Sequence, residues 1–146
     1  MTTRPSMVES ELEMQLVAPG SVATPVRADL RYDLLDPYAV QVSFHTRAGS
    51  PGTTVQWTFA RSLLGDGLSA AAGEGDVQVW PGSSQGRPVV CLSLCSPSGR
   101  ALFEVPQEAL AEFLQRSYAA VPAGRESGHV DVEAELALLL WAGPDT

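Results

Sequence analysis

Four successive stretches between Val8 and Phe59 alternate apolar and polar residues, and this pattern limits the possible folds of the chain more than any other feature. A period of two residues is typical of strands that bury one face of a sheet. Only short breaks, rich in proline, glycine and aspartate, separate the stretches. Parallel pairing needs connections of about a dozen residues or more, so these breaks predict an antiparallel meander of four strands.

The stretch at residues 38–46 has a clear inner and outer face. One face holds Tyr38, Val40, Val42 and Phe44, and the other holds Gln41, Ser43 and His45. Asp36 and Pro37 set its start, because proline fixes its own φ and keeps the preceding residue out of the helical region. The first face, with Trp57 and Phe59 of the following strand, is predicted to lie in the core. The alternative is a stacking platform for nucleic-acid bases, which the lack of a nearby arginine cluster disfavours.

After Phe59, the sequence predicts three more strands and three helices. The strands are expected at 76–80, 88–96 and 100–105, and the helices are a short one at 60–68, one that Pro106 opens and a final one that Asp131 caps. Strand 88–96 is apolar on both faces, which indicates a central or doubly covered position. The predicted fold class is α+β, with about seven antiparallel strands, a short middle helix and two C-terminal helices.

The predicted final helix is apolar on more than one side. Leu136, Leu139 and Leu140 share a face, whereas Leu138 lies nearly opposite and Trp141 lies on the flank. A helix resting on one core would leave Leu138 and Trp141 in water. Two explanations remain open: these residues form a protein interface, by self-association or with a partner, or they pack inside the subunit.

The charge of the chain argues against two classes of partner. Its 146 residues carry a net charge of −8, and all nine basic residues are scattered arginines. Nucleic acids and anionic membranes are bound mainly through clusters of basic side chains, so we expect neither as a partner. No apolar stretch approaches the roughly 20 residues that span a bilayer, and the first residues lack a secretory signal. We therefore expect a cytoplasmic protein with no direct membrane insertion.

Few carboxylates and histidines are candidates for chemistry. Asp33 and Asp36 flank a turn and are the nearest approach to an acid/base pair, although aspartates before prolines commonly cap turns. His45 and His129 are far apart in the sequence, and neither has a carboxylate or cysteine at the spacing of metal ligands. No nucleophile-elbow or phosphate-loop motif is present.

The two cysteines fit a structural role. Cys91 and Cys95 lie four residues apart on one face of an apolar strand, where reduced cysteines act as small buried residues. The sequence therefore predicts no catalytic, cofactor-binding or metal-binding residue, no cofactor and no enzyme activity.

Five segments, taken together in this order, resemble a known family. They are DLRYDLLDPYAVQVSFHT at 29–46, VQWTFARSLL at 55–64, GDVQVWPG at 75–82, VVCLSLCSPSG at 89–99 and ALAEFLQRSYAAVP at 109–122. The chain is similar to the SsgA-like proteins of actinobacteria over residues 8–141, and closest to their SsgB type; the DPYAV and VWP motifs are specific to that family. We expect a single SsgA-like domain at 8–142 after a flexible N-terminal tail at 1–7.

The resemblance implies a non-enzymatic role in sporulation-specific cell division. SsgB-type members help to recruit the tubulin-like GTPase FtsZ to future septum sites and promote its assembly, and an SsgA-type paralogue helps to localise them. The implied fold is a curved, barrel-like antiparallel sheet of the Whirly type, and the implied assembly is a homotrimer. The resemblance also implies that the protein is located in the cytoplasm at the division septum. The alternative function is a single-stranded nucleic-acid binder of the Whirly type. The absence of lysine disfavours it, because the binding motif of Whirly proteins carries lysine.

Overall fold

The computed structural model of the protein describes residues 7–17, 23–46, 53–97 and 99–127. The first strand begins at Met7, one residue before the expected start of the domain. The helix predicted from Asp131, together with Leu138 and Trp141, lies outside the described residues, as do residues 1–6 of the expected tail.

Seven strands and two helices make up the described part of the chain. In chain order they are β1 (Met7–Val17), β2 (Thr24–Asp33), β3 (Ala39–Thr46), β4 (Thr53–Ala60), α1 (Arg61–Asp66), β5 (Val77–Ser84), β6 (Arg87–Ser96), β7 (Gly99–Pro106) and α2 (Gln107–Ala120). The predicted α+β class is confirmed. α2 begins directly after Pro106, where the missing N–H of proline costs no helical hydrogen bond.

All seven strands belong to one antiparallel sheet with the order β4-β3-β2-β1-β7-β6-β5. The first four strands form the predicted meander. β1 joins the two halves of the sheet, because it pairs with β2 over ten positions and with β7 over three. β6 lies between β5 and β7, which confirms the central position predicted from its two apolar faces.

The sheet curls around its core. The rings of Phe44 in β3 and Phe103 in β7 stack with their centroids 4.5 Å apart, although β2 and β1 separate these strands in the sheet order. In a flat sheet, strands three places apart would lie roughly 14 Å from each other. The contact therefore requires strong curvature. α2 packs against the same core with Leu110, Phe113 and Leu114, which are buried.

One of the predicted core residues is exposed. Tyr38 is 53% exposed, whereas Val40, Val42 and Phe44 of the same alternating stretch are buried, so the prediction for Tyr38 was wrong. β3 begins at Ala39, and Tyr38 belongs to the turn before it. The Tyr38 carbonyl accepts a hydrogen bond from the backbone N–H of Arg61 at 2.8 Å, so its backbone extends the ladder. Its side chain, however, lies beyond the end of the core.

The remaining predictions for the inner face and the cysteines agree with the structure in most respects. Phe59 is buried, and Trp57 is half-buried against the core. Cys91 is a buried free thiol and Cys95 a half-buried one. Burial raises the pKa of the Cys91 thiol, and the charge of Glu104 raises it further, so the uncharged thiol is favoured.

Candidate functional site

Arg61, the first residue of α1, is a buried cation that joins two parts of the fold. Its side chain is 1% exposed. Nη1 donates hydrogen bonds to the carbonyls of Ser117 at 3.0 Å and Val121 at 2.8 Å, and Nη2 donates to Glu126 Oε2 at 2.9 Å. Both carbonyls lie at the C-terminal end of α2, where backbone acceptors run short of helical donors. The Ser117 carbonyl also accepts a hydrogen bond from Val121 N at 2.9 Å. Arg61 therefore caps α2 from the junction of β4 and α1.

Two tyrosine rings enclose the Arg61 guanidinium. Its Cζ lies 4.7 Å from the centroid of the Tyr32 ring and 4.1 Å from that of Tyr118, distances at which a cation is attracted to an aromatic face. Burial raises the pKa of Tyr32 to about 12, against the opposing effect of the Arg61 charge. Burial also raises the pKa of Tyr118. Both phenols are therefore neutral near pH 7, and the carboxylate of Glu126 supplies the paired negative charge.

Arg61 also lowers the pKa of Glu126. The hydrogen bond from Arg61 holds the pKa of this carboxyl below its usual value, and a backbone hydrogen bond from Gly124 N to Oε1 at 2.8 Å acts in the same direction. Arg61 Nε is buried without a partner among the described residues. Because its faces and its Nη atoms are occupied by groups of the fold, Arg61 holds the structure together and does not offer a site for a ligand.

The sequence itself contains a signal for this buried arginine. Val55, Trp57 and Phe59 alternate on the inner face of β4, and the next position of that alternation is Arg61. Alternation therefore directs the arginine inward at the point where the strand becomes a helix. The signal is easily missed, because basic side chains are almost never fully buried unless they are paired.

The turn between β2 and β3 presents two apolar side chains to solvent. Leu35 is 60% and Tyr38 is 53% exposed. Three hydrogen bonds of 2.9 Å hold the turn: Leu35 N to Asp33 Oδ1, Asp36 N to the Asp33 carbonyl, and the Tyr32 hydroxyl to the Pro37 carbonyl. We call the pair of Leu35 and Tyr38 the turn patch, because its backbone is fixed by these bonds before any partner binds.

The candidates for chemistry have ordinary partners. Asp33 accepts the backbone hydrogen bond that caps the turn, as the capping interpretation predicted. His45 lies on the exposed outer face, with Nε2 2.7 Å from Asp29 Oδ2 and Nδ1 3.2 Å from Thr54 Oγ1. His129 lies outside the described residues. Within the described ranges, histidine, cysteine, aspartate and glutamate side chains form no group of three that would hold a metal ion.

An apolar groove opens where β4 faces the ends of β6 and β7. It has a volume of about 320 Å³, and its lining includes Phe44, Val55, Trp57, Leu94, Arg100 and Phe103. Ligand sites of this kind are mostly apolar with a few placed polar groups, and the volume lies at the lower end of their range. No sequence pattern indicates this groove, since it arises only when the sheet curls and brings β4 towards β6.

The outer face of β1 and β2 is charged and predominantly acidic. Arg31 Nε lies 3.3 Å from Glu9 Oε2, and Arg27 pairs with Glu11, all with exposed side chains. Exposed pairs of this kind contribute little to stability. Glu13 adds a further exposed carboxylate to the same strand, so this face carries the negative charge of the chain into solvent.

One other prediction is not decided by the described residues. The interface predicted for Leu138 and Trp141 lies outside them and stays a prediction.

Neither α1 nor α2, the helices of the described part, has the length and apolar character needed to cross a bilayer.

Comparison with known proteins identifies the family. The family model described as "Streptomyces sporulation and cell division protein, SsgA" matches residues 26–126. Sporulation-specific cell division protein SsgB of Frankia casuarinae is 52% identical over 145 residues, which cover 99% of each chain. Its counterpart in Streptomyces coelicolor is 50% identical over 133 residues, which cover 91% of this chain and 95% of the relative.

Solved structures agree with the sequence comparison. The SsgA-like sporulation-specific cell division protein of Thermobifida fusca superposes with a TM-score of 0.82 at 39% identity and covers 94% of this chain and 98% of its own. A structure from work on SsgB and longitudinal cell division in Streptomyces coelicolor gives a TM-score of 0.79 at 51% identity and covers 84% of this chain and 94% of its own. The chain therefore belongs to the SsgA family of sporulation and cell division proteins.

Proposed function

We propose that the chain is a non-catalytic adaptor in sporulation-specific septation, which helps to recruit FtsZ to future septum sites and promotes its assembly. Family membership supports the process, since the relatives are named sporulation-specific cell division proteins. The turn patch supports the mode of action and is the observation that carries the proposal. A pre-organised apolar pair loses little conformational entropy on binding a protein.

The adaptor is proposed to act as a homotrimer of the Whirly type in the cytoplasm at the septum, with an SsgA-type paralogue as a second partner. A trimer presents three copies of the turn patch. Linked copies of a weak site bind a polymer more tightly than one copy, because the later contacts are intramolecular. Leu138 and Trp141 are the proposed interface between copies.

Nucleic acid is not part of the proposed function. The outer face of the sheet bears Glu9, Glu11 and Glu13, and the net charge is −8. Binding of phosphates requires basic groups that release the counterions of the nucleic acid. The acidic face repels phosphates, so the fold analogy with single-strand binders does not extend to function.

Co-sedimentation with FtsZ polymers tests the proposal. We expect the chain to pellet with GTP-assembled FtsZ and to raise the polymer yield. The double substitution Leu35→Ser and Tyr38→Ser is expected to weaken this binding about tenfold or more, because two buried apolar contacts are lost. The matched control, Leu35→Met with Tyr38→Phe, keeps the apolar surface and is expected to bind as the native chain does. Absence of the native chain from the pellet, with unchanged polymer yield, would reject the proposal.

A further inference from the structure

The two edge strands of the sheet differ in how they are protected. Within β5, Pro81 lacks an N–H, and Val79 forms a bridge with Ala72 through hydrogen bonds of 2.7 and 2.9 Å. Proteins commonly use proline, charges or covering segments to blunt an edge that would otherwise pair with another chain. β4, whose sequence is TTVQWTFA, contains neither proline nor a charged residue, and no described strand pairs with its outer side. β4 is therefore an unprotected edge in the described part of the chain.

The backbone register shows which groups of β4 point outward. The hydrogen bond from Arg61 N to the Tyr38 carbonyl, at 2.8 Å, marks a hydrogen-bonded pair in the β3–β4 ladder. Antiparallel ladders alternate such pairs with non-bonded pairs. Counting back along the register, Val55 and Trp57 direct their N–H and C=O groups to β3, whereas Thr54, Gln56 and Thr58 direct theirs away from it. These outward groups are available to an added strand.

The inner side chains of β4 are only partly covered. Val55 is 43% exposed and Trp57 half-buried, although both point to the inner face of the sheet. Both line the 320 Å³ groove, whose opposite wall includes Leu94 of β6. A strand added to β4 would bring alternate apolar side chains over this groove and cover both residues.

A cation marks one end of the groove. Arg100 lines it together with Val55, and its Nε lies 3.3 Å from Cys95 Sγ. No carboxylate of the described residues pairs with Arg100, whereas Arg27, Arg31 and Arg61 each have one. In a chain with a net charge of −8, this arginine offers a local positive site that favours an acidic group on the bound segment.

We propose that the outer edge of β4 and the adjoining groove form a strand-addition site for an extended segment of a partner protein. The segment is apolar at alternate residues and carries a carboxylate at the end that reaches Arg100. Backbone hydrogen bonds to Thr54, Gln56 and Thr58 supply affinity, and the groove and Arg100 supply selectivity. The inference stands apart from the proposed role with FtsZ, because it does not depend on which protein supplies the segment.

A labelled peptide tests this site directly. The probe is AVQVSFHE, which copies residues 39–45 and carries a glutamate at the position of Thr46, so that the glutamate lies on the same face as the apolar residues. β3 already pairs with β4 in this sequence, with Val42 opposite Trp57 and Phe44 opposite Val55. In the same direction on the outer edge, the probe places its apolar residues over the groove and its glutamate at the end near Arg100. We expect saturable binding of one peptide per chain, measured by fluorescence anisotropy.

Matched variants distinguish the contribution of backbone hydrogen bonds to peptide binding from that of side chains. Gln56→Pro removes an outward N–H without touching the β3 ladder and is expected to weaken binding about tenfold, whereas Gln56→Ala keeps the N–H and is expected to bind normally. If Gln56→Pro does not fold, Thr58→Lys blunts the edge with the backbone intact and is expected to weaken binding. A probe ending in glutamine should bind less tightly than the glutamate probe, and Arg100→Gln should abolish that difference.

Three results would overturn the inference. The first is the absence of saturable binding, and the second is equal binding by native chain, Gln56→Pro and Thr58→Lys. The third is a lower mass of Gln56→Pro by light scattering without peptide binding, which would assign the edge to a second copy of the chain. If no peptide binds and the mass is unchanged, the edge is covered by the chain itself. Because the peptide-binding assay contains no FtsZ, its result is independent of the co-sedimentation test.

Discussion

At the scale of single residues, Arg61 has the largest expected effect on stability. Its removal takes the one described donor from the Val121 carbonyl. The Ser117 carbonyl keeps its bond from Val121 N, and the Glu126 carboxylate keeps its bond from Gly124 N. Leaving the buried Val121 carbonyl without a partner costs about 1–3 kcal/mol, and losing the contacts with the two tyrosine rings adds about 1 kcal/mol, so the total is about 2–4 kcal/mol. We expect Arg61→Met to lower the free energy of unfolding by about that amount, measured by urea denaturation.

Arg116 provides the control for this prediction. It is an exposed arginine on α2 whose Nη2 donates to the Glu9 carbonyl at 3.0 Å. Arg116→Met removes the same charge and one hydrogen bond at the surface, and it is expected to cost about 1 kcal/mol or less. An equal loss of unfolding free energy in the two variants would show that the burial of Arg61 contributes nothing to stability.

Glu126 gives a pH dependence whose sign follows from its lowered pKa. Arg61 stabilises the carboxylate in the folded chain, so the folded pKa lies below the usual value of 4.5. The resulting stabilisation is fully present above the unfolded pKa and is lost as pH falls through the folded value. We expect the stability difference between the native chain and Glu126→Gln to be largest above pH 4.5 and to shrink below it. Glu112→Gln, an exposed change on α2, serves as the control, and a difference that grew on acidification would contradict the assignment.

At the scale of the elements, α1 and β5 approach so closely that Gly67 has no space for a side chain. A Cβ at this position would lie 2.2 Å from Val79 Cγ1 and 2.7 Å from Val79 Cβ. The backbone of Gly67, with φ of −67°, suits any residue, so only the packing excludes alanine. We expect Gly67→Ala to destabilise the chain by about 1–3 kcal/mol in thermal or urea unfolding.

A double-mutant cycle tests the cause of that loss. Val79→Ala removes the clashing methyl groups, at the cost of a cavity in the core. The double variant, Gly67→Ala with Val79→Ala, is expected to lose less stability than the two single variants added together. The methyl group added at position 67 occupies space that the methyl groups of Val79 leave. Strict additivity would mean that the clash does not cause the destabilisation.

The elements show how far the sequence determined the fold. Period-two alternation predicts the first four strands, because it reports directly which residues face the core, and turn residues delimit the other three. The prediction for Tyr38 was wrong because the alternation of apolar and polar residues continues beyond the end of β3, whereas the core ends there. The groove and the stacking of Phe44 on Phe103 depend on curvature between strands that are distant in the sequence. Arg61 continues the inner-face alternation of β4, but its partners at positions 117–126 are distant in the sequence, so no local pattern predicts its burial.

At the scale of the whole molecule, the open question is how many copies act together. The stretch at 136–141, LALLLW, places Leu138 and Trp141 outside any single apolar face that a helix there would have. Contact between copies is a physical reason for apolar residues in those positions. For the proposed homotrimer, light scattering is expected to give three times the chain mass of 15.5 kDa.

Substitutions in that stretch connect the mass to the two predicted interface residues. Leu138→Ser with Trp141→Ser removes the apolar surface of the proposed interface, so the mass is expected to fall to that of one chain while circular dichroism shows the sheet intact. Ala137→Ser is the control in the same stretch, because it changes polarity with little loss of area. A native chain with the mass of a monomer would contradict the homo-oligomer. An unchanged trimer of unchanged stability in the double variant would exclude Leu138 and Trp141 as its interface, and the turn patch or β4 would then be the surface to test between copies.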